Sequence, residues 1–555
     1  MSENIIVKGK RTNLYLQSFE EIKTLRDVID FRVKTHPETP FYTYTDYDHD
    51  AKHYDRMPKE VKEHVEALGS CFNKKYGTRA HIALMGDNTY ELMNVFWSVG
   101  CSNNISVHLD KGLEVETLEK MLKLSDATVL FYDHKYEEKA KTIEKDLGIE
   151  THSLEEIPDL REEGKKLIEE GFDEYFKQTL DPGAASFFMF TSGTTGTSKC
   201  VMLSQTNFID NSIAITNHLG VTEGAMMVLP QHHVLGLNCT QIPHLIAGCT
   251  VYLISNPRYM FRDMAIDNPT LMVTVPLFVE LCYKMIWKNI KEKGIEEEVK
   301  KQLAANKANP DLTPKEKREM FKEALSILGT NFFEFDVGAA VLEDKYYYGL
   351  KDFGIEIVYG YGITECSPII SSDTLKYTKP DGVGLIMDSL EVMIENPNER
   401  GEGEICVKGT SVMLGYYKNE EATKEAMRGG WFHTGDIGFF DEDEFLHISG
   451  RIKNLIILPN GENVSPEELE NVLMNQPAIN EVVVYEKNNN IAAQIYIDPE
   501  QLPDGNVEKA KEDIQKYVDD ANTRLAAFKN IQIVEFRDKP FARTSSMKII
   551  RSSVE

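Results

Sequence analysis

Residues 191–199 read TSGTTGTSK, and an apolar run stands on either side of them, SFFMF at 186–190 and VMLS at 201–204. Runs of this length are consistent with short buried strands, and the tip between them has little to pack, so the stretch predicts a hairpin with a polar loop. Such a loop is suited to an anion. Gly193 and Gly196 let the backbone approach closely and take positive φ, and Lys199 adds a point charge. The hydroxyls of Thr191, Ser192, Thr194 and Thr195, with successive N–H groups, can donate to phosphate oxygens. A flexible Gly/Ser/Thr linker has the same composition but lacks the apolar flanks. The ordinary P-loop of NTPases is excluded, because Ser198 stands where its glycine should be and Cys200 follows the lysine.

At 555 residues the chain is too long for one core, and its 42% hydrophobic content can fill at least two domains. No apolar stretch approaches the length of a membrane span, and the opening MSENIIVKGK lacks a signal-peptide core, so a cytoplasmic location is expected. The cysteines (Cys71, Cys101, Cys200, Cys239, Cys249, Cys282, Cys366 and Cys406) are scattered singly and read as reduced, small apolar residues, with neither disulfide nor zinc spacing. A net charge of −28 argues against nucleic acid as a partner, since phosphate-backbone binding needs a basic face. The same acidity opposes an anionic membrane, although a transient contact through a small apolar mouth stays open.

Helical patterns alternate with short apolar runs from about residue 24 onward, including 81–86, 127–133, 250–255, 270–276, 332–340 and 355–362. This alternation predicts an α/β lobe with ligands at the strand ends. A highly charged helical stretch at 288–323 reads as a solvated covering face, and 401–450 as an all-β subdomain closing the lobe. The last hundred residues read as a separate unit: a capped helix start at Ser465, Pro466 and Glu468, a hairpin turning on asparagines within 482–497, and an amphipathic helix over 507–530. The boundary falls between 1–450 and 451–555.

Four further clusters could work with the phosphate loop. In YGYGITE, 359–365, Tyr361 can stack on a base, Gly362 ends the strand, Thr364 can bond a phosphate and Glu365 can hold Mg²⁺; plain packing of tyrosines is the competing reading. In WFHTGDIG, Asp436 could accept both ribose hydroxyls or merely form an Asx-turn. Arg451 and Lys453 make a basic pair at the domain joint, and Lys548 lies between apolar neighbours in ARTSSMKIIR.

In this order the motifs resemble the adenylate-forming superfamily of acyl-CoA synthetases, peptide-synthetase adenylation domains and luciferases, from about residue 24 to 551. The resemblance implies a large N-terminal α/β lobe with a β subdomain and a small mobile C-terminal α+β domain that rotates about a hinge near Lys453. It implies ATP and Mg²⁺ at the 191–199 loop and Glu365, adenine at Gly338, Ala339 and Ala340, and ribose at Asp436 and Arg451. His233 in LPQHHVLGL falls on the substrate side, and Lys548 is the catalytic lysine of the first half-reaction. The implied chemistry joins a carboxylate to ATP to give acyl-AMP and pyrophosphate, after which coenzyme A expels AMP.

Through SVHLDKGLEVETLEKMLKLSDATVLFY at 106–132, the charged helical segment before GAAVL and KNLIILPNGENVSPEELE at 453–470, the subgroup that fits best is the bacterial long-chain fatty acyl-CoA synthetases, with medium-chain, aryl or bile-type acids open. Transfer to an acyl carrier protein is the alternative acceptor, though no insertion is evident between Lys418 and Arg451. A degenerate binding protein would have lost Lys199, Glu365, Asp436 or Lys548, and all four are present. The departures are Ser198 and Cys200 around Lys199, Ala339 for a glycine, and Met547 for the glycine before Lys548.

Overall fold

The computed structural model of the chain describes residues 4–10, 19–49, 51–191, 198–221, 224–309, 311–340, 342–379, 381–458, 462–502, 505–543 and 549–554. Ser192, Gly193, Thr194, Thr195 and Gly196, together with Met547 and Lys548, lie outside the described residues.

Two large sheets carry the α/β part. In the first, strands Ala185–Thr191, Ile105–His108, His81–Met85, Val129–Tyr132 and Glu150–Ser153 run parallel in that spatial order. Its central strand has Ile82, Ala83, Leu84 and Met85 all fully buried, as expected where helices cover both faces of a parallel sheet. Lys199–Ser204 then pairs antiparallel with Ala185–Thr191, which is the hairpin expected around the phosphate loop. In the second sheet, Tyr42–Asp46, Val251–Leu253, Ala225–Met227, Leu271–Thr274, Glu334–Val337 and Glu356–Gly362 are parallel neighbours. The apolar runs of the sequence fall on these strands.

The charged stretch forms helices Glu296–Lys307, Pro314–Met320 and Lys322–Leu325. It covers one face of the second sheet by burying Val299, Phe321, Ala324 and Leu325 in the core there, with its charges left outward.

The β subdomain differs from the expectation in its limits. Its five antiparallel strands are Ile5–Lys8, Leu390–Glu395, Gly403–Gly409, Phe432–Phe440 and Leu446–Arg451, so it begins before residue 401 and takes in the chain's N-terminal strand. Within 401–450 the helix Glu420–Ala426 interrupts it, capped by the Asn419 side chain accepting from the Ala422 N–H.

The C-terminal core draws its buried members from Ile456 to Ile531. The hairpin Glu481–Lys487 and Asn490–Tyr496 turns at Asn488 and Asn489, whose φ of 53° and 62° are what a two-residue hairpin turn of this hand requires. Helix Pro466–Met474 starts at the expected place without the expected cap. Ser465 donates its hydroxyl to Glu467 (3.1 Å), and Glu468 accepts instead from Lys529 at 2.5 and 2.6 Å. The last helix spans Val507–Arg524 and stops short of 530, because Asn522 clamps the backbone of Ile531 through both its amide N–H and its oxygen.

All eight cysteines are unbridged and buried. Among the described residues no helix is long and apolar enough to cross a membrane.

Candidate active site

The phosphate-loop hairpin brings Thr191 and Lys199 opposite each other on its last rung. The short strand Gly415–Tyr416 pairs with the outer side of this hairpin, at Val201 and Met202. Tyr416 links the two sheets. Its ring lies 4.5 Å below the Lys199 ammonium, within cation–π range, and its hydroxyl donates to Glu365 Oε1 at 2.9 Å. The Met413 N–H donates to the Glu365 carbonyl (2.8 Å), which fixes the backbone as well. Thr364 and Glu365 belong to a 3₁₀ turn, Thr364–Cys366, that follows the strand Glu356–Gly362.

Burial pushes the Glu365 carboxyl above its ordinary pKa, while the Tyr416 hydroxyl and the Lys199 and Arg451 charges work the other way. A single carboxylate held by one hydroxyl and facing a lysine retains lone pairs for a cation, and Mg²⁺ commonly takes one protein carboxylate with phosphate oxygens and water.

Tyr361, three residues before Thr364, donates its hydroxyl to Asp436 Oδ2 at 2.6 Å. Arg451 Nε lies 2.6 Å from the other oxygen, Asp436 Oδ1. Asp436 is not in an Asx-turn. It sits inside the strand Phe432–Phe440, directly opposite Arg451, and its carboxylate is spent on Tyr361 and Arg451 rather than on its own backbone. The strand bends here through Gly435, at φ 71°, and the bend is held from the side. Glu404 accepts from the Gly435 N–H (3.2 Å) and from Arg428 (2.9 Å), and it contacts His433 Nδ1 at 3.0 Å. Thr434 Oγ1 donates to the Ile405 carbonyl (2.8 Å) and accepts from the Asp436 N–H (3.0 Å). Burial opposes the Arg451 charge, but Asp436, Tyr361 and Glu467 together outweigh it and hold the guanidinium pKa above its usual value.

Tyr416, Glu404, Arg428 and Thr434 carry no sequence signal of this kind: Tyr416 acts on Glu365 from 51 positions away, Glu404 on Gly435 from 31, Arg428 through Glu404, and Thr434 through backbone bonds.

Gly362 has no room for a side chain: a Cβ there would lie 2.2 Å from the Pro368 carbonyl oxygen. Gly338 ends the strand Glu334–Val337 against Leu235, and the next residue, Ala339, has φ 70°. The glycine-type geometry is therefore kept with a methyl group in place, and the Ala340 N–H closes a tight turn onto the Gly338 carbonyl at 3.0 Å.

His233 lies at the turn leading into the π-helical segment Leu235–Cys239, its ring tilted 53° to that of His232 with centroids 4.4 Å apart. Lys453 falls in the 3₁₀ turn Ile452–Asn454 immediately after Arg451, and burial, followed by the Arg451 charge, lowers its ammonium pKa. The structure thus gathers Lys199, Glu365, Tyr361, Asp436 and Arg451 through direct contacts, and places Gly338 and Lys453 on adjoining elements.

The family model described as AMP-binding enzyme matches residues 30–417, and the model of the AMP-binding enzyme C-terminal domain matches 453–555. The chain belongs to the AMP-binding enzyme family. This AMP-binding enzyme is 28% identical over 449 residues to the probable CoA ligase CCL9 of Humulus lupulus, an alignment covering 77% of each chain. It is 30% identical over 341 residues to the long-chain-fatty-acid–CoA ligase FadD15 of Mycobacterium bovis, covering 58% of this chain and 55% of that protein. In fold it matches the o-succinylbenzoate CoA synthetase of Bacillus subtilis, solved with the acyl-adenylate OSB-AMP, at a TM-score of 0.71 and 21% identity over 95% of this chain and 97% of that one. The larger N-terminal and smaller C-terminal parts of the AMP-binding enzyme are common to both.

Proposed function

We propose that this AMP-binding enzyme activates a carboxylic acid with ATP to an acyl-adenylate and passes the acyl group to the thiol of coenzyme A, releasing AMP and pyrophosphate. The observation that carries the reading is the convergence, through Tyr416, Tyr361 and Arg451, of a phosphate-loop lysine, a half-buried carboxylate and a doubly held aspartate. In this reading Lys199 and the hydroxyls of the 191–199 loop meet the β- and γ-phosphates. Asp436 binds the ribose hydroxyls with Arg451 beside it, and the Gly338–Ala340 turn and Tyr361 flank adenine.

Glu365 would hold Mg²⁺, which when bound would supply positive charge to offset that of the leaving pyrophosphate. Lys548 meets the charge shared by the carboxylate and the α-phosphate, His233 borders the acyl group, and Thr364 bonds a phosphate oxygen. Lys548 and the thiol need the same space, so the C-terminal part turns about Lys453 between the two half-reactions.

The long-chain-fatty-acid–CoA ligase among the relatives supports a fatty acid as substrate. The space next to Gly338 supports a shorter one. The cavity bounded by Gly338, Gly360, Leu235 and Ile215 has a volume of about 40 Å³, room for roughly three water-sized groups and not for a long alkyl chain.

Pyrophosphate release with ATP and Mg²⁺, measured against carboxylic acids graded by chain length with and without coenzyme A, tests the reading. Turnover that requires coenzyme A and peaks at one chain length is expected. Release without such turnover would point to a carrier-protein thiol, and silence across the panel would overturn the proposal.

A further inference from the structure

The cavity beside Gly338 is not uniformly apolar. Ile215 and Leu219 of the helix Gln205–Leu219, with Leu235 and Met387, give it apolar walls, and two polar side chains, Asp336 and His244, interrupt them. Asp336 and Glu334 are two apart on the strand Glu334–Val337, so they project from the same face, away from Phe335 and Val337 in the core on the other side.

The Oδ1 atom of Asp336 is buried with no hydrogen-bond partner. His244 is 1% exposed. The carbonyls of Cys239 and Thr240 lie beside its ring, yet neither imidazole nitrogen reaches hydrogen-bond geometry. A lone buried acid would carry no ligand argument. Asp336 thus keeps an open oxygen beside the His244 imidazole, both lining one cavity at the end of the strand Glu334–Val337, a polar recess that the protein satisfies only in part.

The charge state follows from the surroundings. Burial raises Glu334 well above the carboxylate range and Asp336 only to about 6, since a hydrogen bond from Glu334 favours the ionised Asp336. At neutral pH the pair therefore keeps one proton on Glu334 and one negative charge on Asp336. His244 is pushed down to about 4 by burial and is neutral. The thiol of Cys239, which also lines the cavity, is pushed up by burial and stays protonated.

We propose that this cavity takes the tail of a short carboxylic acid whose far end carries a hydrogen-bond-donating ammonium group, with Asp336 as its acceptor and His244 as a second polar contact. The inference rests on the adenylation reading and names its substrate class. Asp336 is here a specificity-determining residue: it touches the tail of the substrate and takes no part at the reacting carboxylate.

The test measures pyrophosphate release for matched pairs, butanoate against γ-aminobutanoate and hexanoate against ε-aminohexanoate. The native chain should prefer the amino member of a pair by about 100-fold in kcat/KM, because a site built for a buried hydrogen bond rejects the analogue that lacks it. Asp336→Val should reverse that preference while leaving the KM for ATP unchanged, and Asp336→Asn should fall between. A melting curve for each variant checks folding, and Asp336→Asn, nearly isosteric, serves if Asp336→Val does not fold. Preference of the native chain for the unsubstituted acids, or an unchanged ratio in a folded variant, would overturn the assignment of Asp336 while leaving adenylation standing. No release with any acid would overturn both.

Discussion

Asp436 and Arg451 stand on the same antiparallel rung, and Arg451 Nε lies 2.6 Å from Asp436 Oδ1. With the Tyr361 hydroxyl on Oδ2, the carboxylate is 2% exposed and fixed in orientation from two sides. Asp436→Asn keeps the shape but loses charge at the position proposed to bind two ribose hydroxyls. Charge-assisted hydrogen bonds contribute about 1.5–3 kcal/mol each, so the KM for ATP should rise about 10- to 100-fold. Thermal stability should change little, since the Arg451 side chain is 42% exposed and can be solvated. Steady-state kinetics over ATP concentration and a melting curve check both parts.

Ala339 holds φ 70° with a methyl group, a conformation that costs an L-residue roughly 1–2 kcal/mol. Ala339→Gly removes that cost and adds about 0.5–1 kcal/mol of backbone entropy to the unfolded chain. The expected net effect is a small stabilisation of up to about 1 kcal/mol, read from denaturant midpoints at constant m-value. A clear destabilisation would mean that the turn at Gly338 depends on the methyl group.

Asp267 carries a side chain with no exposed surface, and its pKa is raised to about 7, first by burial and then by Asp263 and Asp55. A carboxyl raised on folding binds its proton more tightly in the native state. Its contribution to stability is therefore complete below the unfolded pKa of about 4, declines as pH rises and is gone above about 7. Asp267→Asn removes this dependence and gives Asp263 and Asp55 an N–H donor. The variant should be more stable than the native chain at pH 8, by on the order of 4 kcal/mol or less, and the two should converge near pH 4. Equal separation at both values would show that the group is not protonated in the fold.

The two half-reactions should separate genetically. Lys548→Ala should cripple pyrophosphate release yet spare thioester formation from supplied acyl-AMP, since in the proposed mechanism the lysine serves only the attack on the α-phosphate. Lys453→Pro fixes φ at the turn Ile452–Asn454 and should do the reverse. Half-reaction rates for the two variants, measured side by side, check the pair, and equal loss of both half-reactions in either variant would contradict the division of roles.

The strands and the hairpin around the phosphate loop were legible in the sequence because parallel strands buried on both faces read as continuous apolar runs, as His81–Met85 does. The motif residues were legible because glycines and charges in apolar surroundings have few structural uses. Tyr416 was not, since nothing in LGYYK announces that its hydroxyl reaches Glu365 across two sheets. Glu404 was hidden in the same way, acting on the bend before Asp436 from a neighbouring strand. Asp336 was lost inside an apolar run, FFEFDVG, where periodicity placed a strand correctly but could not reveal that its acidic face borders a cavity. The missed helix Glu420–Ala426 and the recruited strand Ile5–Lys8 are tertiary outcomes of pairing that no local pattern encodes.

In the proposed reaction a carboxylate oxygen attacks the α-phosphate of ATP. The most direct measurement labels both oxygens of an accepted acid with ¹⁸O and follows the label by mass spectrometry after turnover with ATP, Mg²⁺ and coenzyme A. One labelled oxygen is expected in AMP, an acyl-AMP of matching mass when coenzyme A is withheld, and unlabelled pyrophosphate. Label in inorganic phosphate, with ADP as the nucleotide product, would place the attack on the γ-phosphate and contradict it.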